Sequence, residues 1–202
     1  MKYGHLFSKR FASALKRSSS GMLPKNYLNQ PTIRVALSAV IAALYAVIVV
    51  IFAPFSFGPF QVRIADALMP LALLFGYVAS AGLSIGCIVA NFFGYVMGAT
   101  PTPFDIIGGA IANLIASVLA YNIYRALTSR VKNGFLRAQM PILVENVTVT
   151  LIVGSYLAVI VPIGSTFAAS AAFWYTGIFL GSLISMNILG YLVYITIRSA
   201  FG

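Results

Sequence analysis

Four stretches of this chain contain no Asp, Glu, Lys or Arg: Val35–Phe55, Ala67–Ala99, Ile106–Tyr124 and Phe167–Ile197. A fifth, Ala138–Ile163, is interrupted only by Glu145. Runs of ~20 largely apolar residues are what a helix needs to cross a hydrocarbon core of ~30 Å. Inside lipid a backbone must satisfy its own hydrogen bonds, so such runs fold as helices or as closed barrels, and their length favours helices. The 202 residues are 60% hydrophobic and only 8% charged, against about 25% charge in a soluble domain. The chain therefore reads as an all-α, multi-pass protein of the cell membrane, with room for about six spans and no soluble catalytic domain beside them.

The run Ala67–Ala99 would be ~50 Å long as one helix at 1.5 Å per residue, too long for a single crossing. Small, turn-permissive residues fill its middle, Gly76-Tyr77-Val78-Ala79-Ser80-Ala81-Gly82, so a reversal near Ala79 is expected. Basic residues test that split, because cytoplasmic loops collect Lys and Arg. Lys2, Lys9, Arg10, Lys16, Arg17, Lys25 and Arg34 precede the first span, Arg125, Arg130, Lys132 and Arg137 separate the fourth from the fifth, and Arg198 follows the last. Six transmembrane helices put all of these on one face and leave Arg63 alone outside; five would divide them. The expectation is six helices with both termini cytoplasmic. Residues 1–31 form a basic amino-terminal arm, with an amphipathic HLFSKRFASALKR segment and no acid, suited to anionic headgroups or, alternatively, to organelle targeting. Residues 32–202 form the transmembrane domain. The net charge of +10 then reflects topology, not nucleic-acid binding.

Several chemistries are excluded. The single Cys87 and single His5 offer no zinc or haem ligand set. The phosphate-loop pattern G-x-x-x-x-G-K-[ST] is absent from the sequence, so ATP hydrolysis by that loop is not supported. Binding or transport, without metal, cofactor or catalysis, is the expected class.

Ionisable groups in a bilayer cost about 2.5–3.5 kcal/mol each on insertion scales, so the three acids need partners or an interface. Asp66 opens the second helix three residues after Arg63, a spacing at which the two can pair. Asp105 follows TPTPF and opens the fourth helix; Glu145 follows Pro141 near the cytoplasmic start of the fifth, where it would offset the helix dipole. Asn91 and Tyr95 share a face of the third helix, Asn113 lies eight residues after Asp105, and Trp174 and Tyr175 begin the sixth. The aromatics could equally mark the interface belt and the asparagines could tie helices together. With Gln61, Arg63, Asp66 and Asp105 they converge on the outer half and suggest an outward-facing pocket. On the first helix, Ala39/Ala43 and Ala42/Ala46 are overlapping small-xxx-small pairs, suited to internal packing or to docking of a partner protein.

The segments ALYAVIVVIFAPFSFGPFQVRIADAL, GLSIGCIVANFFG and FDIIGGAIANLIASVLAYNIY resemble the QueT family, substrate-binding S components of energy-coupling-factor (ECF) transporters associated with queuosine precursors. The likeness runs from about Ala36 to Tyr124 and more loosely through Pro141–Gly154 and Gly177–Tyr191. Phe57-Gly58-Pro59, Gln61, Arg63, Gly86-Cys87, Ala90-Asn91 and Asp105-Ile106 stand at the family's characteristic positions. Two positions depart: Asp66 stands where the family tends to have Glu, and Gly181-Ser182 where it often has Gly-Glu.

The resemblance implies capture of a small molecule from outside, with delivery requiring a transmembrane coupling subunit and two ATPase subunits. For a 7-deazaguanine base, a carboxylate would accept bonds from the N1–H and exocyclic amino edge. Asp105 is the first candidate and Asp66 the second. Asn91, Asn113 and Gln61 would both donate and accept, Trp174, Tyr175 or Tyr95 would stack on the ring, and Arg63 would orient Asp66 or close the outer loop. A different vitamin or nucleobase, or a membrane scaffold without transport, are the competing expectations.

Overall fold

The computed structural model describes residues 30–57, 62–100 and 102–201. Most of the basic arm expected over residues 1–31, and Gln61, lie outside the described residues. Six helices follow one another: α1 Pro31–Ile51, α2 Ile64–Phe75, α3 Tyr77–Val96, α4 Phe104–Thr128, α5 Gly134–Ile160 and α6 Phe167–Ala200. All except α2 are long and apolar enough to cross a membrane.

The expected reversal inside Ala67–Ala99 exists, but it falls at Gly76 instead of near Ala79. Gly76 has φ 60°, a left-handed backbone that side chains with a Cβ rarely adopt. A Cβ there would also lie 2.8 Å from the Tyr121 ring. The contact puts the α2–α3 turn beside the last turns of α4, and Tyr77 Oη reinforces it by donating to Asn122 Oδ1 at 3.1 Å.

α2 is not a second full crossing of the expected kind. It is a 3-10 helix over Ile64–Leu71 that becomes α-helical over Ala72–Phe75, ~22 Å in all at ~2.0 and 1.5 Å per residue. Its residues from Ala65 to Leu73 are all buried, Asp66 among them, as an element otherwise apolar on every side should be. α2 is thus a central strut ringed by the longer helices. α6 gives it room where Gly190 faces Pro70: a Cβ on Gly190 would come within 2.9 Å of the proline ring.

Lipid supplies no hydrophobic drive between helices, so close packing and polar ties must hold them. α1 and α3 meet nearly backbone to backbone. A Cβ on Gly82 would lie 2.5 Å from the Ser38 carbonyl oxygen, and one on Gly86 2.7 Å from that of Ala42. Ala42 and Ala46 are buried in this seam, while Ala39 and Ala43 face outward. Of the two small-residue pairs expected to dock a partner, Ala42/Ala46 is therefore taken up by internal packing.

Polar ties join α5 to α6 where α6 widens into a π-helix over Leu183–Gly190. Gln139 Nε2 donates to the Asn187 carbonyl at 3.0 Å, and Asn187 Nδ2 returns a bond to Gln139 Oε1 at 3.1 Å. Asn146 Nδ2 reaches the Phe179 carbonyl at 3.4 Å and Asn187 Oδ1 at 3.3 Å. α5 starts earlier than Pro141, because Asn133 caps it by accepting from Phe135 N and Leu136 N. Glu145 consequently sits ~16 Å into the helix and is fully buried, which corrects the expectation of a dipole-offsetting residue at the helix start.

Candidate functional site

The described parts of the segments joining α1 to α2, α3 to α4 and α5 to α6 lie at one end of the bundle, and beneath them is a cavity. The space between atoms there, open solvent at the mouth included, is about 560 Å³. Phe57 and Arg63 come to it from the α1–α2 connection, Asp66 from α2 and Asp105, Gly109 and Asn113 from α4. The wall is completed by Val149, Val153 and Tyr156 of α5 with Trp174, Ile178 and Ser182 of α6. On α4 the spacing of four puts Asp105, Gly109 and Asn113 in one stripe running ~12 Å down the axis. The same periodicity aligns Val149, Val153 and Tyr156 on α5, and Trp174, Ile178 and Ser182 on α6.

Each cavity carboxylate is fixed by a tyrosine. Tyr45 Oη donates to Asp66 Oδ1 at 2.6 Å and itself accepts from Asn113 Nδ2 at 3.0 Å. Tyr156 Oη donates to Asp105 Oδ1 at 2.7 Å. Such charge-assisted bonds fix rotamers and leave the remaining lone pairs directed elsewhere.

Arg63 does not pair with Asp66, although their spacing permits it. Among the described residues it forms no ion pair within 4.0 Å. Its Nη2 donates to Asn91 Oδ1 at 3.1 Å, its Nη1 lies 3.7 Å from Cys87 Sγ, and its Cζ stands 5.4 Å from the Phe57 ring centroid. Asn91 Nδ2 in turn donates to the Asp105 carbonyl at 2.6 Å. The guanidinium lines the same cavity as Asp66 and Asp105 without an ion pair to either. Gly109 is required where this group passes α4: a Cβ there would lie 2.7 Å from Asn91 Nδ2 and 3.9 Å from Arg63 Nη1. The short α2 also recesses Arg63 below the surface expected for it, to the level of Asn91, ~7 Å short of the end of α3.

Of the residues anticipated from the sequence, Arg63, Asp66, Asp105, Asn113 and Trp174 line the cavity. Asn91 is buried one layer behind, positioning Arg63. Tyr95 is 46% exposed on the outside of α3, and Tyr175 instead shares a hydrogen bond with Ser155 at 2.9 Å. Neither belongs to the cavity wall. Trp174 is buried, its Nε1 donating to the Val161 carbonyl at 2.9 Å, so it is a wall of the site and not a belt residue. The sequence does not single out Tyr45, Tyr156 or Phe57 for the site. Tyr45 could be found as the one hydroxyl on the Ile41–Ala42–Tyr45–Ala46–Val49 face of α1, and Tyr156 by extending the Val149–Val153 stripe.

An all-helical bundle with five membrane-length helices, a buried central strut and a polar cavity open at one end defines a multi-pass membrane protein built to hold a small molecule. The family model for the QueT transporter matches residues 35–199, and the chain belongs to that family. No curated protein and no solved structure matches it significantly.

Proposed function

We propose that this chain is the substrate-binding membrane subunit for uptake of a queuosine precursor, a flat 7-deazaguanine-type base, working as an S component with an ECF coupling subunit and two ATPase subunits. The observation that carries the reading is the pair of tyrosine-fixed carboxylates, Asp105 and Asp66, facing one cavity beside Arg63 and Trp174. Asp105 accepts from the amidine-like edge of the base, with Tyr156 holding its other face, and Asp66 is the second acceptor. Asn113 serves the carbonyl and ring-nitrogen positions, and the Trp174 indole supplies a ring surface for stacking. Arg63 keeps the mouth electrostatically balanced against the two acids. The absence of a phosphate-loop pattern in the sequence supports dependence on ATPase partners, and the outward Ala39/Ala43 pair of α1 offers a surface for the coupling subunit. Both termini lie in the cytoplasm, where the basic residues collect, so the cavity opens outward.

Membership of a transporter family sets aside the membrane-scaffold alternative. A different flat vitamin or nucleobase remains the second reading, favoured by Ser182, which puts a small hydroxyl at the cavity wall where the family often carries a carboxylate.

Isothermal titration of the purified full chain with 7-deazaguanine-type bases tests the proposal. Submicromolar binding that weakens by about 10- to 100-fold in Asp105→Asn supports it. Full affinity of Asp105→Asn for every deazapurine would remove Asp105 as the base-reading carboxylate. In cells, removing the ATPases should leave binding intact and abolish accumulation; unchanged accumulation would point to a solitary carrier.

A further inference from the structure

The end of the bundle away from the cavity carries cations that the chain does not neutralise. Along α4, Arg125 stands ~30 Å from Asp105 at 1.5 Å per residue, about one hydrocarbon thickness. It is exposed, as are Arg130, Lys132 and Arg198, and none of the four forms an ion pair among the described residues. Of the three acids in the sequence, Asp66 and Asp105 line the cavity and Glu145 is fully buried in α5. The tendency of basic residues to collect on one side accounts for their presence here, but not for the setting of Arg125.

That setting is where the start of α3 meets the end of α4. Arg125 Cζ stands 5.6 Å from the Tyr121 ring centroid, and the same ring packs edge-on to Tyr77 with centroids 5.1 Å apart. Tyr77 Oη donates to Asn122 Oδ1 at 3.1 Å, and Asn122 Nδ2 gives one hydrogen to the Val118 carbonyl at 2.9 Å. The second amide hydrogen of Asn122 and the guanidinium N–H groups of Arg125 have no acceptor among the described residues. Tyr77, Asn122 and Arg125 are all exposed. Toward the cavity end, Ile111, Leu114 and Ile115 continue the Asn122–Arg125 face of α4 at helical spacing, and all three are exposed. Free donors at the depth of the headgroups, above an exposed apolar strip, match an amphiphile with a phosphate head and acyl chains. An acidic protein surface would answer the charge but not the strip.

We propose that this α3–α4 corner binds the headgroup of an anionic phospholipid, with Arg125 and Asn122 Nδ2 donating to its phosphate and the chains lying along Ile111, Leu114 and Ile115. No cavity residue takes part, so the site stands independently of the substrate reading.

The test melts the ligand-free full chain in non-ionic detergent micelles holding equal mole fractions of dioleoylphosphatidylglycerol or dioleoylphosphatidylcholine. The wild type is expected to melt at least ~2 °C higher with phosphatidylglycerol, and Arg125→Gln should lose most of that difference. Arg198→Gln removes the same charge from α6 at the same end and should keep most of it. Each protein is compared with itself in two lipids, so a variant's own change in stability cancels. In native mass spectrometry, a phosphatidylglycerol retained by the wild type should be lost from Arg125→Gln. Identical wild-type melting in the two lipids overturns the proposal, as does a difference that survives Arg125→Gln. Equal losses in Arg125→Gln and Arg198→Gln would mean diffuse attraction to a basic surface and overturn the corner as a site. A shift of the same size with glycerophosphoglycerol, the head without its chains, would assign the corner to a soluble phosphate. Stabilisation by polyglutamate without any lipid preference would assign it to an acidic protein, and either result overturns the lipid reading.

Discussion

Gly86 links helix packing to the cavity, and replacing it with alanine should disturb both. The new Cβ would lie 2.7 Å from the Ala42 carbonyl oxygen, 2.8 Å from Tyr45 Cβ and 3.0 Å from Ala42 Cα. Two of those three atoms are backbone, so no side-chain rotation relieves the clash. Restoring an ordinary contact of 3.4 Å requires α1 to move away by ~0.7 Å, at a cost of about 1–3 kcal/mol for overpacking. For a chain of this size that lowers Tm by roughly 2–12 °C. Tyr45 rides on the displaced helix, and its 2.6 Å bond to Asp66 would stretch to ~3.3 Å, beyond the usual range for O–H···O. Ligand affinity should therefore fall as well, by about 2- to 10-fold if one ordinary hydrogen bond to the site is compromised. The control is Gly134→Ala, where a Cβ meets nothing within 4 Å and melting should stay level or rise slightly. Melting in detergent and titration calorimetry on the three proteins read both effects. If Gly86→Ala melts and binds like the wild type, the backbone-to-backbone seam is not what sets the position of Tyr45.

Four further outcomes separate the roles assigned to residues in and around the cavity. Asp105→Asn should cost about 10- to 100-fold in affinity, the scale of a charge-assisted bond, whereas Tyr156→Phe should cost about 2- to 10-fold because it removes only the fixing hydroxyl; equal losses in calorimetry would contradict that division. Trp174→Phe keeps a ring but loses the bond to Val161, so binding should weaken modestly, by severalfold at most. Tyr95→Phe, outside the cavity, should bind as the wild type does in the same assay. Arg63→Gln should lower affinity more than Arg63→Lys, because the charge is what Asp66 and Asp105 experience, though Lys cannot reproduce the fork that reaches both Asn91 and Cys87.

Much of the architecture is legible in the sequence because lipid imposes a simple rule: long uncharged runs must become helices. The six helices follow from that rule, and so does a break within Ala67–Ala99. The form of α2 does not, because nothing local distinguishes IADALMPL as 3-10; it is set by Gly190, the surrounding helices and the closure at Gly76. At the site, helical spacing identifies Asp105 with Asn113 and places Asp66 at a helix start. It misleads for Tyr95, four residues after Asn91, which is 46% exposed while its neighbour Gly94 keeps the buried face of α3. Spacing also suggests an Arg63–Asp66 pair. The actual partners, Asn91 and Tyr45, come from α3 and α1, separated from them by 28 and 21 residues, and such contacts depend on tertiary packing. Glu145 is hard to place from sequence because Pro141 looks like the start of α5, when a proline inside a membrane helix need not end it.

The stretched geometry of α2 sets the height of the site. Eight residues in 3-10 form, Ile64–Leu71, extend ~4 Å farther than the same residues would as α-helix, at ~2.0 against 1.5 Å per residue. With its lower end pinned at Gly76 against Tyr121, the strut lifts Arg63, at its top, by about that amount and Asp66, two residues inside it, by ~3 Å, to the depth at which Asn91 and Tyr45 meet them. An α-helical α2 of identical sequence would leave the two charged groups roughly half to three quarters of a turn too low, out of reach of their partners and of the cavity they now share.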